Sequence, residues 1–193
     1  MNILKKADQF YKDHQQEDTW ETATFVSIKR MENDARGEFG EKIISEALHL
    51  DENFFFDMDS TNSNVHPDGH YDLKINNVRI EVKTSCRTSN RVWQHEPLYA
   101  DEACDLVIFV DFDYDNFYIS VIPSKDLPLG RTSPYFINKK GTLRKNKDDG
   151  YKLDFSMKTL RDLTAFGLTS TFDSNATIQD IASFVGGKIH EFI

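Results

Sequence analysis

HYDLKINNVRIEVKTS, residues 70–85, holds two runs of alternating apolar residues on either side of Asn76-Asn77. Asn tolerates the positive φ angles of a two-residue hairpin turn. With that turn the register follows: Ile75 faces Val78, Lys74 faces Arg79, Leu73 faces Ile80 and Asp72 faces Glu81. Side chains alternate between faces, so Leu73, Ile75, Val78, Ile80 and Val82 form an apolar side that must be core. The other side carries Asp72, Lys74, Arg79, Glu81 and Lys83. A longer turn would move Asp72 away from Glu81.

Directly opposed residues in a hairpin have Cβ atoms ~4.5–5.5 Å apart. Two carboxylates at that separation repel unless a proton or a cation lies between them. Such a pair suits Mg²⁺, a hard ion that takes oxygen ligands and keeps several waters. Lys83 lies two residues past Glu81 on the same face. Its ammonium can orient an attacking water or offset charge in a phosphorane-like transition state. A solvated hairpin face with alternating charges has the same spacing, so spacing alone leaves both readings open.

Working outward, Ile3, Leu4, Ala7, Phe10 and Tyr11 recur at helical spacing and predict a helix over about 2–15. Asp18 or Thr19 can cap a second helix carrying Trp20, Ala23 and Met31 on one face. GEFGEKIISEALHL, 37–50, predicts a helix with Phe39, Ile43, Ala47 and Leu50 as its stripe, widened by Ile44 and Leu48. Residues 53–58, with Phe54, Phe55 and Phe56, predict a strand. Residues 87–99 read as a polar connection containing Trp93 and Gln94. DLVIFVDF, 105–112, predicts a buried central strand, and 116–122 its hairpin partner, ended by Pro123. TIQDIASFVGGKIHEFI, 177–193, predicts a helix with a capping box from Thr177 to Asp180, softened at Gly186-Gly187.

The totals exclude several classes. The chain has 193 residues, 39% hydrophobic and 28% charged, as expected of one domain with a real core. Its 23 basic and 32 acidic residues give a net charge of −9, which argues against nonspecific coating of nucleic acid but not against a local basic surface. Cys86 and Cys104 show no CxxC spacing, so neither a zinc ribbon nor a disulfide scaffold is signalled. The N-terminus lacks a signal-peptide apolar core, and no run approaches the ~18 apolar residues of a membrane span. A cytoplasmic protein is expected. No GxxxxGK[ST] loop occurs, so no nucleotide cofactor is expected.

The run YDLKI…VRIEVKTS, with Asp72, eight intervening residues, then Glu81-Val82-Lys83, resembles the PD-(D/E)xK nuclease superfamily. An apolar strand before ExK and a small polar residue after it are typical of that family. Gly37-Glu38-Phe39-Gly40-Glu41 resembles the Gly-x-x-x-Glu pattern of its first core helix. The resemblance covers about 36–122. It implies an α/β fold of restriction-endonuclease-like architecture, a mixed central sheet flanked by helices. It implies Asp72 and Glu81 as metal ligands, Lys83 as the catalytic lysine, and Glu41 as a supporting helix carboxylate. Gln94 fits the polar position that often follows ExK. The expected activity is Mg²⁺-dependent hydrolysis of double-stranded DNA, with Mn²⁺ as a substitute. A homodimeric type II restriction endonuclease fits best. A Holliday-junction-type nuclease and a noncatalytic DNA-binding or interaction module are the alternatives. One domain, 1–193, is expected, with N-terminal helices and a C-terminal extension for DNA recognition or dimerisation.

A literal Pro67-Asp68 pair competes for the ligand role, but Pro-Asp-Gly is a turn signature, and Asp72 keeps the cross-strand geometry. NKKGTLRKNK supplies DNA-phosphate candidates Lys139, Lys140, Arg144 and Lys145, beside Lys147. Arg87, Arg91 and Arg131 are further candidates for contacts to bases. His66, His70 and His95 match no metal-ligand spacing and are expected at the surface or facing DNA. Asp111, Asp113 and Asp115 are expected to be a solvated hairpin end, and Cys86 to be structural.

Overall fold

The structure, a computed structural model, describes residues 20–54, 71–99, 104–137, 139–143 and 150–192. The expected helix over 2–15, the cap at Asp18 or Thr19, and most of the expected strand over 53–58 lie outside these residues. So do Pro67-Asp68, His66, His70, Arg144, Lys145 and Lys147.

The Asn76-Asn77 turn is present with φ of 48° and 68°, the left-handed pair that a tight hairpin requires. It joins β1 (Leu73–Ile75) to β2 (Val78–Cys86). The register is the expected one, Leu73 opposite Ile80, Lys74 opposite Arg79 and Ile75 opposite Val78. Leu73, Ile75, Ile80 and Val82 are buried, as the alternation requires. β4 (Leu106–Phe112) and β5 (Asn116–Pro123) form the expected buried pair. With β8 (Thr169–Asp173) they complete a five-stranded sheet of order β1-β2-β4-β5-β8. β2 and β4 run parallel while the other neighbours are antiparallel, so the sheet is mixed.

The residues read as a polar connection contain β3 (Val92–Leu98). It pairs with β7 (Tyr151–Ser156), and β6 (Thr142–Leu143) completes a second sheet of order β3-β7-β6. Trp93 and His95 face inward, while Gln94 and Glu96 face out. The period-2 alternation is there, but half the strand is polar and Pro97 interrupts it.

Helices close the layers. α1 (Val26–Arg30) is shorter than expected, and Trp20 and Ala23 are buried in the turns before it. α2 (Asn33–Leu48) starts four residues earlier than expected. Its buried stripe is Gly40, Ile44, Ala47 and Leu48, while Leu50 is 50% exposed beyond the helix end. Arg36 explains the early start: its guanidinium donates to the carbonyls of Ile28, Lys29 and Met31, satisfying the end of α1. α3 (Met157–Ala165) begins at a capping box made by Ser156 and Thr159. α4 (Ile178–Phe192) begins at the expected Thr177–Asp180 box. It runs unbroken through Gly186-Gly187, correcting the expected softening. Gly186 lies beside Phe54 and Asp51.

Two cores result. α2 and α4 bury Ile44, Leu48, Ile181, Val185 and Ile189 on Ile80, Val82, Ile108 and Val110. On the opposite face, the small sheet and α3 bury Trp93, Phe155, Leu160 and Leu163 on Val107, Phe109 and Tyr118. Among the described residues no helix is long and apolar enough to cross a membrane.

Candidate active site

β1 begins only at Leu73, opposite Ile80, but its antiparallel partner β2 continues to Cys86, so the far half of β2 has an open edge. Asp72 takes over there. Its own N–H donates to the Ile80 carbonyl at 2.8 Å, and its Oδ2 accepts the N–H of Val82 at 2.7 Å. The carboxylate thus caps the first unpaired amide of the edge. This differs from a simple cross-strand confrontation with Glu81.

α2 crosses β2 at this point. A Cβ on Gly40 would overlap the Thr84 hydroxyl, so only glycine lets the helix approach so closely. The next residue, Glu41, is thereby delivered to the open edge. On the other side stands β3, tied to β2 by the Gln94 N–H donating to Ser85 Oγ at 3.1 Å. Between helix and strand runs a cleft of about 760 Å³, whose lining includes Glu41, Asp72, Lys83, Ser85, Gln94 and Glu96. Four expected site residues, Glu41, Asp72, Lys83 and Gln94, therefore share one cleft. Glu81 lies just behind, in contact with Lys83 Nζ and beside Pro97, Leu98, Tyr99 and Cys104.

The electrostatics follow from crowding like charges in a partly dry place. Burial first, then the Asp72 charge, pushes Glu41 up to about 7, against the pull of Lys83. Burial also pushes Glu81 up to about 7; Lys83 opposes this, and Asp72 and Glu41 add to it. Asp72 is raised by burial, with the Val82 amide and Lys83 working against it. Burial alone would lower Lys83, but Glu81 and Asp72 outweigh it and hold the ammonium charged. Three carboxylates around one ammonium leave an excess of negative charge that a proton or a cation can neutralise.

The donor set fits a hard divalent ion held by few protein ligands. Among the described residues, no three His, Cys, Asp or Glu side chains converge as a ready cage. Two carboxylates with water completing the shell are the usual Mg²⁺ arrangement.

Other candidates resolve differently. Lys139 turns inward, its Nζ donating to Thr159 Oγ1 at 2.9 Å and lying 5.9 Å from the Phe155 ring centroid. Lys140, by contrast, is exposed. Arg87 pairs with Asp113 at 2.9 Å and lies over the rings of Trp93 and Tyr114, bracing the ends of β2 and β3 and the β4–β5 turn. Burial pushes Cys86 and Cys104 up to about 11, consistent with structural thiols. The expected solvated hairpin end is corrected: Asp111 and Asp113 are buried, and only Asp115 is exposed. His95 is corrected too, being enclosed beside Asp111 rather than at the surface. The signal for that pair was the alternation Val107, Phe109, Asp111, which puts the aspartate on an interior face of β4.

Known protein-family models give no match to this chain, and neither do curated proteins.

Proposed function

We propose that this protein is a Mg²⁺-dependent endonuclease acting on double-stranded DNA, on a restriction-endonuclease-like framework, with Mn²⁺ as a substitute. The observation that carries this reading is the meeting of Glu41, Asp72 and Lys83 in one cleft at an open strand edge, with Glu81 in contact with Lys83. Asp72 and Glu81 would hold the ion, supplemented by Glu41. When bound, it supplies a positive charge that polarises a phosphoryl oxygen. Lys83 then exchanges Glu81 for the attacking water or the phosphoryl oxygens, where its charge counts in the transition state. Gln94 lines the opposite wall and offers an amide to the nucleic acid. Two copies related by a two-fold axis would cut both strands of a palindromic site, as a type II restriction endonuclease does.

Incubating wild type and Glu81→Ala with supercoiled plasmid and Mg²⁺ tests the reading. Discrete fragments from wild type alone are expected. Cleavage confined to branched DNA would favour a Holliday-junction-type nuclease. Intact DNA with both proteins, over wide enzyme and substrate ranges, would leave only a noncatalytic module.

A further inference from the structure

One strand in from the cleft, His95 and Asp111 are enclosed between the two sheets, 2% and 0% exposed. His95 Nε2 lies 3.2 Å from Asp111 Oδ1. The ring stands edge-on to Phe109 and Phe155, with centroids 4.6 and 4.8 Å away. The pair is off the line of a well-formed hydrogen bond, and His95 Nδ1 and Asp111 Oδ2 have no hydrogen-bond partner among the described residues. A bare carboxylate in such surroundings is costly, whereas one proton held between the two groups makes the pair neutral. The proton count is the same whether ring or carboxyl carries it.

Strand alternation links this pair to the cleft. His95 points between the sheets, while its neighbours Gln94 and Glu96 line the cleft. Ser85, which receives the Gln94 amide, is the register partner of Asp111 on β2. We infer that His95 and Asp111 form a one-proton latch that positions the β3 wall of the cleft, and Gln94 with it, against β2. The inference rests on the cleft being the site proposed above, but its tests read protons and amides instead of cleavage.

The surroundings leave the pair as the group that responds. β2 presents Ser85, with Lys83 and Cys86 nearby; β5 presents Tyr118 opposite Asp111. Burial raises Tyr118, and the Cys86 thiol to about 11, so both stay neutral below pH ~9. Asp113 is paired with Arg87. From β7, Phe155 faces the ring, with the Lys139 ammonium beyond it. Glu96 and Asp154 belong to the alternate, outward set of the small sheet.

Asp111→Asn keeps the shape and removes the acid. Unfolded imidazole titrates near pH ~6.5 and unfolded Asp near ~3.9. Between those values the unfolded wild type carries one proton on these groups, as does the folded pair. Above ~6.5 only the folded pair keeps it, so wild-type stability falls with rising pH. In Asp111→Asn the folded ring is neutral, so stability rises with pH up to ~6.5 and then levels. The ratio of folding constants, wild type over variant, therefore falls about tenfold per pH unit from pH 5 to 8. Titrations common to both proteins, those of the cleft carboxylates included, cancel.

Urea unfolding at each pH measures that ratio, and hydrogen exchange reports on the Gln94 amide. Gln94 protection is expected to weaken above neutral pH in wild type but not in Asp111→Asn. Should Asp111→Asn fail to fold, the apolar pair His95→Phe with Asp111→Leu replaces it; the ratio is then flat below ~6.5 and falls about tenfold per unit above it. A ratio independent of pH overturns the one-proton pair. A sloping ratio with Gln94 protection unmoved overturns its positioning role.

Discussion

Two clusters of buried charge lie near each other across the central sheet. One is Glu41, Asp72, Glu81 and Lys83 at the open edge of β2; the other is His95 and Asp111, one strand further in. Burial raises the acids in both, Glu41 and Glu81 to about 7 and Asp111 in the same direction. What differs is access. The first cluster opens to a cleft, so an ion with its waters can answer the excess charge. The second is sealed by Phe109 and Phe155, so only a proton can. Buried charge marks a site for chemistry only where something larger than a proton can reach it.

Removing the cation of the open cluster should break the comparison most sharply. Lys83→Ala keeps all three carboxylates, so DNA binding with Ca²⁺ should survive. Cleavage should fall ~10²–10³-fold, by analogy with a deleted oxyanion donor. Asp72→Ala should weaken ion binding and cleavage together, and also leave the Val82 amide without its acceptor. Lys83→Arg should rescue little if the lysine positions water, because guanidinium is broader and does not release its proton. Single-turnover cleavage at the wild-type rate by Lys83→Ala would reduce Lys83 to a structural partner of Glu81.

The open cluster was legible in the sequence and the sealed one was not. A two-residue turn and strict alternation set the β1–β2 register, because a slip by one residue would have turned Leu73, Ile80 and Val82 outward. The Gly-x-x-x-Glu pattern led to Glu41, though the glycine that makes the close approach is Gly40. His95 was misread because β3 looks polar: its outward residues line a cleft, and Pro97 weakens the strand signal. Local sequence also could not say that β3 leaves the main sheet between β2 and β4. Gly186-Gly187 misled in the opposite direction, since the helix runs unbroken through both glycines, with Gly186 beside Phe54. Asp72 was found but its posture was not, because where β1 ends depends on which amide the carboxylate captures.

Gly40→Ala tests how the open cluster is assembled. The added methyl overlaps Thr84 Oγ1, so α2 must move off β2 and carry Glu41 with it. Overpacking of this kind costs ~1–3 kcal/mol, measured by urea unfolding. Adding Thr84→Ala should recover most of the loss. No recovery would mean that the helix is held off by something other than this contact.

The titration of the open cluster gives a smaller effect with a definite sign. Glu41 and Glu81 are raised from 4.5 to about 7, so between those values the folded protein binds more protons than the unfolded chain. Stability must therefore fall as pH rises through that window. In EDTA, Tm should drop by some degrees from pH 5 to 8. Mg²⁺ should raise Tm more at pH 8 than at pH 5, because it replaces protons already lost. An equal Mg²⁺ effect at both pH values would place the ion away from these carboxylates.

Ser85→Ala produces the smallest change and joins the two clusters. Ser85 lines the cleft, lies beside Asp111 in the sheet register, and accepts the Gln94 N–H. Losing that acceptor costs about 1 kcal/mol, the net worth of one hydrogen bond, or ~2–4 °C in Tm for a chain of this size. The sharper readout is local. With the tether gone, His95 and Asp111 share the hold on β3 with the Trp93 indole N–H, which donates to the Phe112 carbonyl at 2.8 Å, so Gln94 exchange should become more sensitive to pH than in wild type. Combining Ser85→Ala with Asp111→Asn should then loosen Gln94 by more than the sum of the single effects, because each tether masks the loss of the other. Strict additivity in exchange free energy would mean that the two clusters are neighbours in the fold without being coupled, and that the cleft wall is set by the remainder of the small sheet.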